Sequence, residues 1–444
     1  MPDGHHIPLG GLLHPQLGRM SVLSVARHAF IVVTLLAVWL TLAPYTSLRP
    51  EDYEPTGAGP INYVVFGLMA AVAMMLLLQD RLAALASAAT PAMIALWVWL
   101  AANAVLSTSP SASLTRLALV AFAFLLAASV PLLAQSEEAF NRCLAAAAWM
   151  LLGLCYFGVI AMPSVSIHSH LDIVEPHLAG DWRGTFAHKN SAAPVMAMLV
   201  FVGVHLIRSG GWLNGALMAA FAGNFLLFSG GKTATSMCLF VLLAGTLMTR
   251  LGSFRALALA AFVPLALINL VSVGSVMFPA LDSLLEVLPI DASFTGRADI
   301  WSFVLDAIRM RPILGYGFAA FWGEPVSANL QIDSDTAWAA GAAHSHNGYL
   351  DLAVTLGLPG LLLCLVVFLY KPLKDFAQAR RIDPANSLAV LFLQIWLFNI
   401  YLASMEPVFL YRIDPGWFTY LVAIFGLHYL ARFPLRHEGA ADRG

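Results

Sequence analysis

Apolar stretches of about twenty residues, set apart by short polar segments, recur along the chain from near residue 28 to residue 432. A helix needs about 20 mainly apolar residues to cross the hydrocarbon core of a bilayer. The pattern predicts twelve spans, at residues 28–44, 61–79, 91–107, 114–134, 142–162, 190–207, 212–229, 233–250, 254–278, 348–370, 386–405 and 415–432. Only Ser229-Gly230-Gly231-Lys232 separates the two members of the 212–250 pair. The sequence lacks the two-residue alternation of outer-membrane barrel strands. It therefore reads as an all-α polytopic membrane protein of about twelve transmembrane helices.

The same pattern divides the chain. Residues 1–27 lack a small-residue cleavage site after a short apolar core, so they read as a cytoplasmic N-terminal segment and not a signal peptide. Residues 28–278 hold the first nine helices, 279–347 one large polar loop, 348–432 the last three helices, and 433–444 a cytoplasmic tail. Inside the loop, Ile300, Trp301, Val304, Leu305 and Ile308 follow helical spacing, with Asp299, Asp306 and Arg309 on the other face. That spacing predicts an amphipathic helix lying on the bilayer or roofing the bundle. Thr295 is its expected cap and Pro312 its end, with a turn at Gly315-Tyr316-Gly317-Phe318.

Composition reinforces this reading. Hydrophobic residues make up 60% of the chain and charged residues 11%, far from the roughly 25% charged of a soluble domain. A net charge of −2 gives no electrostatic case for a nucleic-acid partner. Cys143, Cys155, Cys238 and Cys364 all fall in or beside predicted spans, as packing residues do, without the spacing of a thiolate metal site. Placing the amino terminus inside puts 14 of the 23 Lys and Arg residues on the cytoplasmic side, including the Lys371–Arg381 group. The large loop is then external.

The external cations are the informative ones. Arg183 and Lys189 lie just before the sixth span, Lys232 sits in a minimal turn at membrane level, and Arg297 falls in the large loop. Fixed cations on one membrane face suit a phosphate or pyrophosphate, although each side chain can also simply snorkel to headgroups. Ala342-Ala343-His344-Ser345-His346-Asn347-Gly348 closes the loop and leads into the tenth span. Two histidines at the lip of a bilayer are poor anchors but suitable proton acceptors. His-x-His also occurs at His168 and His170, near His177 and His188, with Asp172, Glu175 and Asp351 as further candidate ligands. No cysteine or helically spaced Glu accompanies either pair, so the reading carries no metal and no cofactor.

Five short motifs resemble a known family. They are Trp182-Arg183-Gly184-Thr185-Phe186 with His188-Lys189-Asn190, Ser229-Gly230-Gly231-Lys232-Thr233, Gly296-Arg297-Ala298-Asp299-Ile300-Trp301, His344-Ser345-His346-Asn347-Gly348-Tyr349-Leu350, and Leu356-Gly357-Leu358-Pro359-Gly360. Their order is that of the O-antigen ligase and polymerase superfamily, and the first motif resembles its exopolysaccharide-polymerase (succinoglycan-type) branch. The resemblance covers about residues 180–365. It implies an inverting, metal-independent glycosyltransferase of the membrane-embedded class, in the bacterial inner membrane with its site facing the periplasm. The implied donor is a glycan on undecaprenyl pyrophosphate, and the acceptor is another glycan or the lipid A core. Membrane lipid and other polysaccharide-assembly proteins are the remaining implied partners.

Carried over residue by residue, the resemblance makes Arg183 the first pyrophosphate cation. Lys232 stands where the ligases usually carry Arg, which keeps the charge and loses the bidentate fork. Arg297 and Lys189 are further candidates for the phosphate. His346, directly before Asn347, matches the family histidine as the catalytic base, with His344 second. Polymerisation of repeat units is the expected reaction. Ligation to lipid A core or to a protein is the same chemistry on another acceptor. Transport is the rival from another class, but it asks for ionisable groups near the bilayer midplane, and these spans are nearly free of charge.

Overall fold

A computed structural model describes residues 21–46, 59–170, 175–286, 297–322, 339, 341–410 and 413–433. Among them the protein is helical, with one isolated bridge between Ile167 and Trp182. Each predicted span contains a helix: α1 (Val22–Trp39), α2 (Pro60–Leu77), α3 (Pro91–Val105), α4 (Pro110–Leu133), α5 (Glu137–Ala161), α6 (Lys189–Arg208), α7 (Trp212–Phe228), α8 (Lys232–Met248) and α9 (Phe254–Val271). After the loop helix α10 (Arg297–Met310) come α11 (Gly348–Cys364), α12 (Lys371–Ile382), α13 (Ser387–Leu402) and α14 (Pro415–Leu430). Seven helical stretches are long and apolar enough to cross a membrane: α1, α2, α4, α5, α6, α9 and the continuous run Gly348–Ile382. The others are shorter apolar helices of 15 to 17 residues. The chain is a polytopic membrane protein.

The helix bounds differ from the expected spans where a charge is paired. α1 begins at Val22 and not near residue 28, because Arg27 is buried and bonded to Asp80 and to the Leu76 carbonyl. A paired guanidinium no longer prohibits burial. The 254–278 span is cut at Ser272, where ψ is −85°, and short turns follow.

Lipid removes the hydrophobic driving force between helices, so position in the bundle follows from how each surface packs. α13 and α14 are apolar all round and buried almost throughout. They pack on each other, with α4 against α14 and α8 against α13. α2 and α9 instead turn Val64, Leu68, Leu259 and Val263 outward, as lipid-facing helices do.

Two breaks in the helix carrying the last external motif shape the region around it. Pro359 cannot donate a backbone bond, and Gly357 takes a φ of +70°. A Cβ at Gly357 would stand 1.9 Å from the Ile313 carbonyl oxygen, so only glycine fits. The freed carbonyls are met by the loop after α10: Tyr316 N–H donates to Val354 (2.9 Å) and Gly317 N–H to Thr355 (3.0 Å). Trp99 Nε1 donates to Leu356 at 3.0 Å. Lower down, Pro372 leaves the Phe368 carbonyl without its helical donor. Trp396 Nε1 (2.8 Å) and Tyr420 Oη (2.7 Å) supply two, across a π-helical stretch at Leu365–Tyr370.

Candidate functional site

The histidine lip is held by the cap of α11. Asn347 Oδ1 accepts from the Tyr349 and Leu350 N–H groups, while its Nδ2 donates to Asn269 Oδ1 and the Ser404 carbonyl, both at 3.1 Å. The cap thus satisfies the helix start and also ties it to the ends of α9 and α13. Asp351 Oδ1 accepts from the Ser345 N–H (3.1 Å) and from Trp322 Nε1 (2.8 Å).

The loop helix roofs this lip. Ile300, Trp301, Phe303, Val304 and Ala307 are buried, and Trp301 Nε1 donates to the Ser345 carbonyl at 2.9 Å. The expected apolar face is therefore present, with Phe303 and Ala307 added and Leu305 and Ile308 at its margin. The expected caps and ligands at Thr295 and Asp172 lie outside the described residues.

His346 adopts a φ of +53°, a left-handed conformation uncommon for a residue with a Cβ. This aims its Nδ1 at Glu406 Oε2, 3.5 Å away in the segment between α13 and α14. Arg297, at the start of α10, closes the set: its guanidinium donates to the Met405 carbonyl (3.0 Å) and to Glu406 Oε1 (3.3 Å). Burial alone would raise the Glu406 carboxyl, but the contact with His346 and the Arg297 charge outweigh it and hold it below the usual glutamate value. His344 packs edge-on against His346, with ring centroids 4.1 Å apart, and its Nδ1 accepts the His346 N–H. Burial, then the neighbouring His346, push its pKa down to about 4. His344 is a neutral acceptor near pH 7.

The second group of expected residues sits on the loop before α6 and the turn before α8. Trp182 stacks on Phe228 at 4.6 Å, and its N–H donates to the Phe228 carbonyl. Gly230, with a φ of +63°, packs so closely on Asp181 that a Cβ would lie 2.4 Å from its oxygen. The structure thus joins the motif around Arg183 to the motif around Lys232. Arg183 donates to the Val165 (2.9 Å) and Ala187 (3.3 Å) carbonyls, which bear no formal charge. Lys189 is paired with Asp181 at 2.6 Å. Lys232 is exposed at the first position of α8, and among the described residues no side chain pairs with it. Gly231 supplies no side-chain cap to α8, and the Lys232 N–H donates to the Gly230 carbonyl at 3.0 Å.

The two groups lie at one end of the bundle. Gly245 faces Gln394 and Phe240 faces Tyr401, an antiparallel register between α8 and α13. Continued along both helices, that register brings Lys232 and the Ser404–Glu406 segment to the same end. Glu406 was absent from the expected set, which was built from cations and histidines. Two further histidines serve the loop before α6: His188 pairs with Glu175 at 2.8 Å and its Nδ1 accepts from the Asn190 N–H, while His168 Nε2 accepts the Lys189 N–H. Among the described residues no three His, Cys, Asp or Glu side chains gather as a metal site.

The helices describe a polytopic membrane protein with His346, Glu406, Arg297 and Lys232 at one bundle end, and comparison with known proteins places it more closely. Residues 215–365 match the family described as O-Antigen ligase, so the chain carries a domain of that family. It is 36% identical over 124 residues to a Rickettsia felis protein named "Putative polysaccharide ligase", across 26% of this chain and 30% of that one. A likewise named Rickettsia prowazekii protein is 32% identical over 174 residues, across 34% and 42%. The Exopolysaccharide production protein ExoQ of Rhizobium meliloti is 26% identical over 198 residues, across 41% and 44%. The matches span less than half the length of these relatives.

Proposed function

We propose that the protein transfers a glycan from an undecaprenyl-pyrophosphate donor to a sugar hydroxyl, polymerising exopolysaccharide or O-antigen repeat units at the periplasmic face of the bacterial inner membrane. The observation that carries this reading is the His346–Glu406–Arg297 set at the same bundle end as Lys232. His346 turns Nδ1 to the carboxylate, which leaves Nε2 to take the proton of an acceptor hydroxyl. Glu406 orients the ring and stabilises the imidazolium that forms, while Arg297 holds the carboxylate in place.

The acceptor oxygen bonds to the anomeric carbon from the side opposite the phosphate, and the carbon–oxygen bond to the pyrophosphate breaks. The configuration inverts and undecaprenyl pyrophosphate leaves. Its growing charge falls to Lys232 and the α8 N-terminus, with Arg183 on the adjoining loop; Arg297 and Lys189 serve carboxylates. With an activated leaving group and fixed cations, the reaction as written requires no metal.

Ligation to lipid A core is the second reading, favoured by the names of the Rickettsia relatives. Protein reconstituted with an undecaprenyl-pyrophosphate-linked oligosaccharide, with and without lipid A core, separates the readings. Longer glycan on the lipid carrier is the expected result. Sugar on the core makes the protein a ligase, and donor moved across the bilayer unreacted would make it a transporter.

A further inference from the structure

Two adjoining clefts open at the bundle end far from His346. The helical run Gly348–Ile382, kinked at Gly357 and π-helical over Leu365–Tyr370, places α12 a full membrane span from the lip. One cleft, about 410 Å³, is bordered by Phe254, Tyr370, Lys374, Asp375, Arg381 and Arg432. The other, about 270 Å³, is bordered by Arg250, Arg380 and Arg381 and shares Phe254 and Ala377 with the first.

The charges here do not balance. Among the described residues the one carboxylate lining either cleft, Asp375, is already engaged: Oδ1 accepts from Arg432 at 2.9 Å, and Oδ2 lies 3.5 Å from His428 Nδ1. Arg380 donates to the Thr249 carbonyl, which leaves its charge uncompensated. Among the described residues no side chain pairs with Lys374, Arg381 or Arg250, and all three are exposed. The wall beside them is aromatic. Phe254 and Tyr370 meet edge to face at 5.8 Å, and Tyr370 is 47% exposed. From Phe254, α9 continues toward the membrane interior with Leu259 and Val263 outward.

We propose that this double cleft binds the headgroup of an anionic glycerophospholipid in the leaflet opposite the transfer site. Arg381, shared by both clefts, and Lys374 meet the phosphate. The aromatic pair sits at the depth of the glycerol, and the acyl chains lie along the outward apolar face of α9. A lipid phosphate fits better than a soluble one because the cationic floor runs directly into a lipid-facing wall. The proposal concerns the other end of the molecule and does not depend on the transfer reading.

Native mass spectrometry of the full-length protein in neutral detergent tests it with phosphatidylglycerol, phosphatidylcholine or inorganic phosphate. Phosphatidylglycerol should be retained over phosphatidylcholine, and Lys374→Gln with Arg381→Gln should weaken that retention about tenfold. Lys374→Arg with Arg381→Lys should restore it. Both positions are exposed, and an unchanged circular dichroism melt shows that the variant is folded. Equal retention of the two lipids, or unchanged retention in the glutamine variant, overturns the proposal. Displacement by inorganic phosphate at millimolar concentration also overturns it and makes the cleft a soluble-anion site.

Discussion

His346 holds its ring on a backbone that costs about 1–2 kcal/mol for a residue with a Cβ, and the direction that backbone gives the ring, toward Glu406, is what the cost maintains. His346→Ala should lower transfer by about 10²–10⁴-fold, the range of a general base, without changing the amount of protein in the membrane. Glu406→Gln should keep the fold and lose most of the rate, because an amide cannot stabilise the imidazolium; normal turnover in either variant removes this mechanism. His344 behaves differently. Its pKa of about 4 lies below the ordinary 6.5, so between these values the unfolded chain binds the extra proton. Stability attributable to His344 is therefore present above pH 6.5 and is lost as pH falls toward 4. His344→Gln should flatten that part of the wild-type pH–stability curve, measured by thermal melting, and should retain more activity than His346→Ala. Both histidines and all four cations were marked as candidates by the sequence, because each stands in a short motif of unusual polarity at a membrane boundary. Glu406 was not, since no spacing rule links residue 406 to residues 297 and 346. Only the meeting of three chain segments makes it a partner.

At the scale of elements, the apolar runs predicted a helix within each expected span, whereas the breaks within them needed tertiary partners to be understood. Leu356-Gly357-Leu358-Pro359-Gly360 reads in sequence as a motif. In the fold it is the place where α11 releases three carbonyls to Tyr316, Gly317 and Trp99. Gly357→Ala adds strain at a φ of +70° and a clash with Ile313, so it should destabilise by more than about 1 kcal/mol and loosen the roof over His346. Thermal unfolding and accelerated proteolysis between α10 and α11 check this, and an unchanged melt would mean that the loop relaxes freely. The Phe368 carbonyl offers a cleaner test because its two donors come from different helices. Trp396→Phe or Tyr420→Phe alone should cost about 0.5–1.5 kcal/mol. The double variant should exceed the sum, since the carbonyl is then left with no donor inside a bundle that holds no bulk water. Additive losses would show that another group takes over. The amphipathic loop helix was legible for the same reason as the spans, by its periodicity. Its burial of Phe303 and Ala307 depended on a turn at residues 315–317 whose anchor is α11.

The whole molecule has two chemically unlike ends separated by apolar helices. One gathers His344, His346, Glu406, Arg297, Arg183 and Lys232. The other gathers Arg250, Lys374, Arg380, Arg381 and Arg432 around two clefts lined, among the described residues, by one carboxylate, Asp375. Charge gives the expected orientation: the second end holds the larger share of Lys and Arg, which favours placing it on the cytoplasmic side. The proposed chemistry depends on this, because a donor already flipped to the periplasm is out of reach of a cytoplasmic histidine. Ala343 and Gln378 are exposed at opposite ends, and the four native cysteines are buried, so they give little background. Ala343→Cys should label on intact cells with a membrane-impermeant maleimide, and Gln378→Cys only after the membrane is opened. The reverse pattern would turn the His346 lip inward and would require a cytoplasmic donor. Labelling of both on intact cells would mean that helices of 15 to 17 residues, such as α3 or α13, do not all cross, so that the two ends share a face.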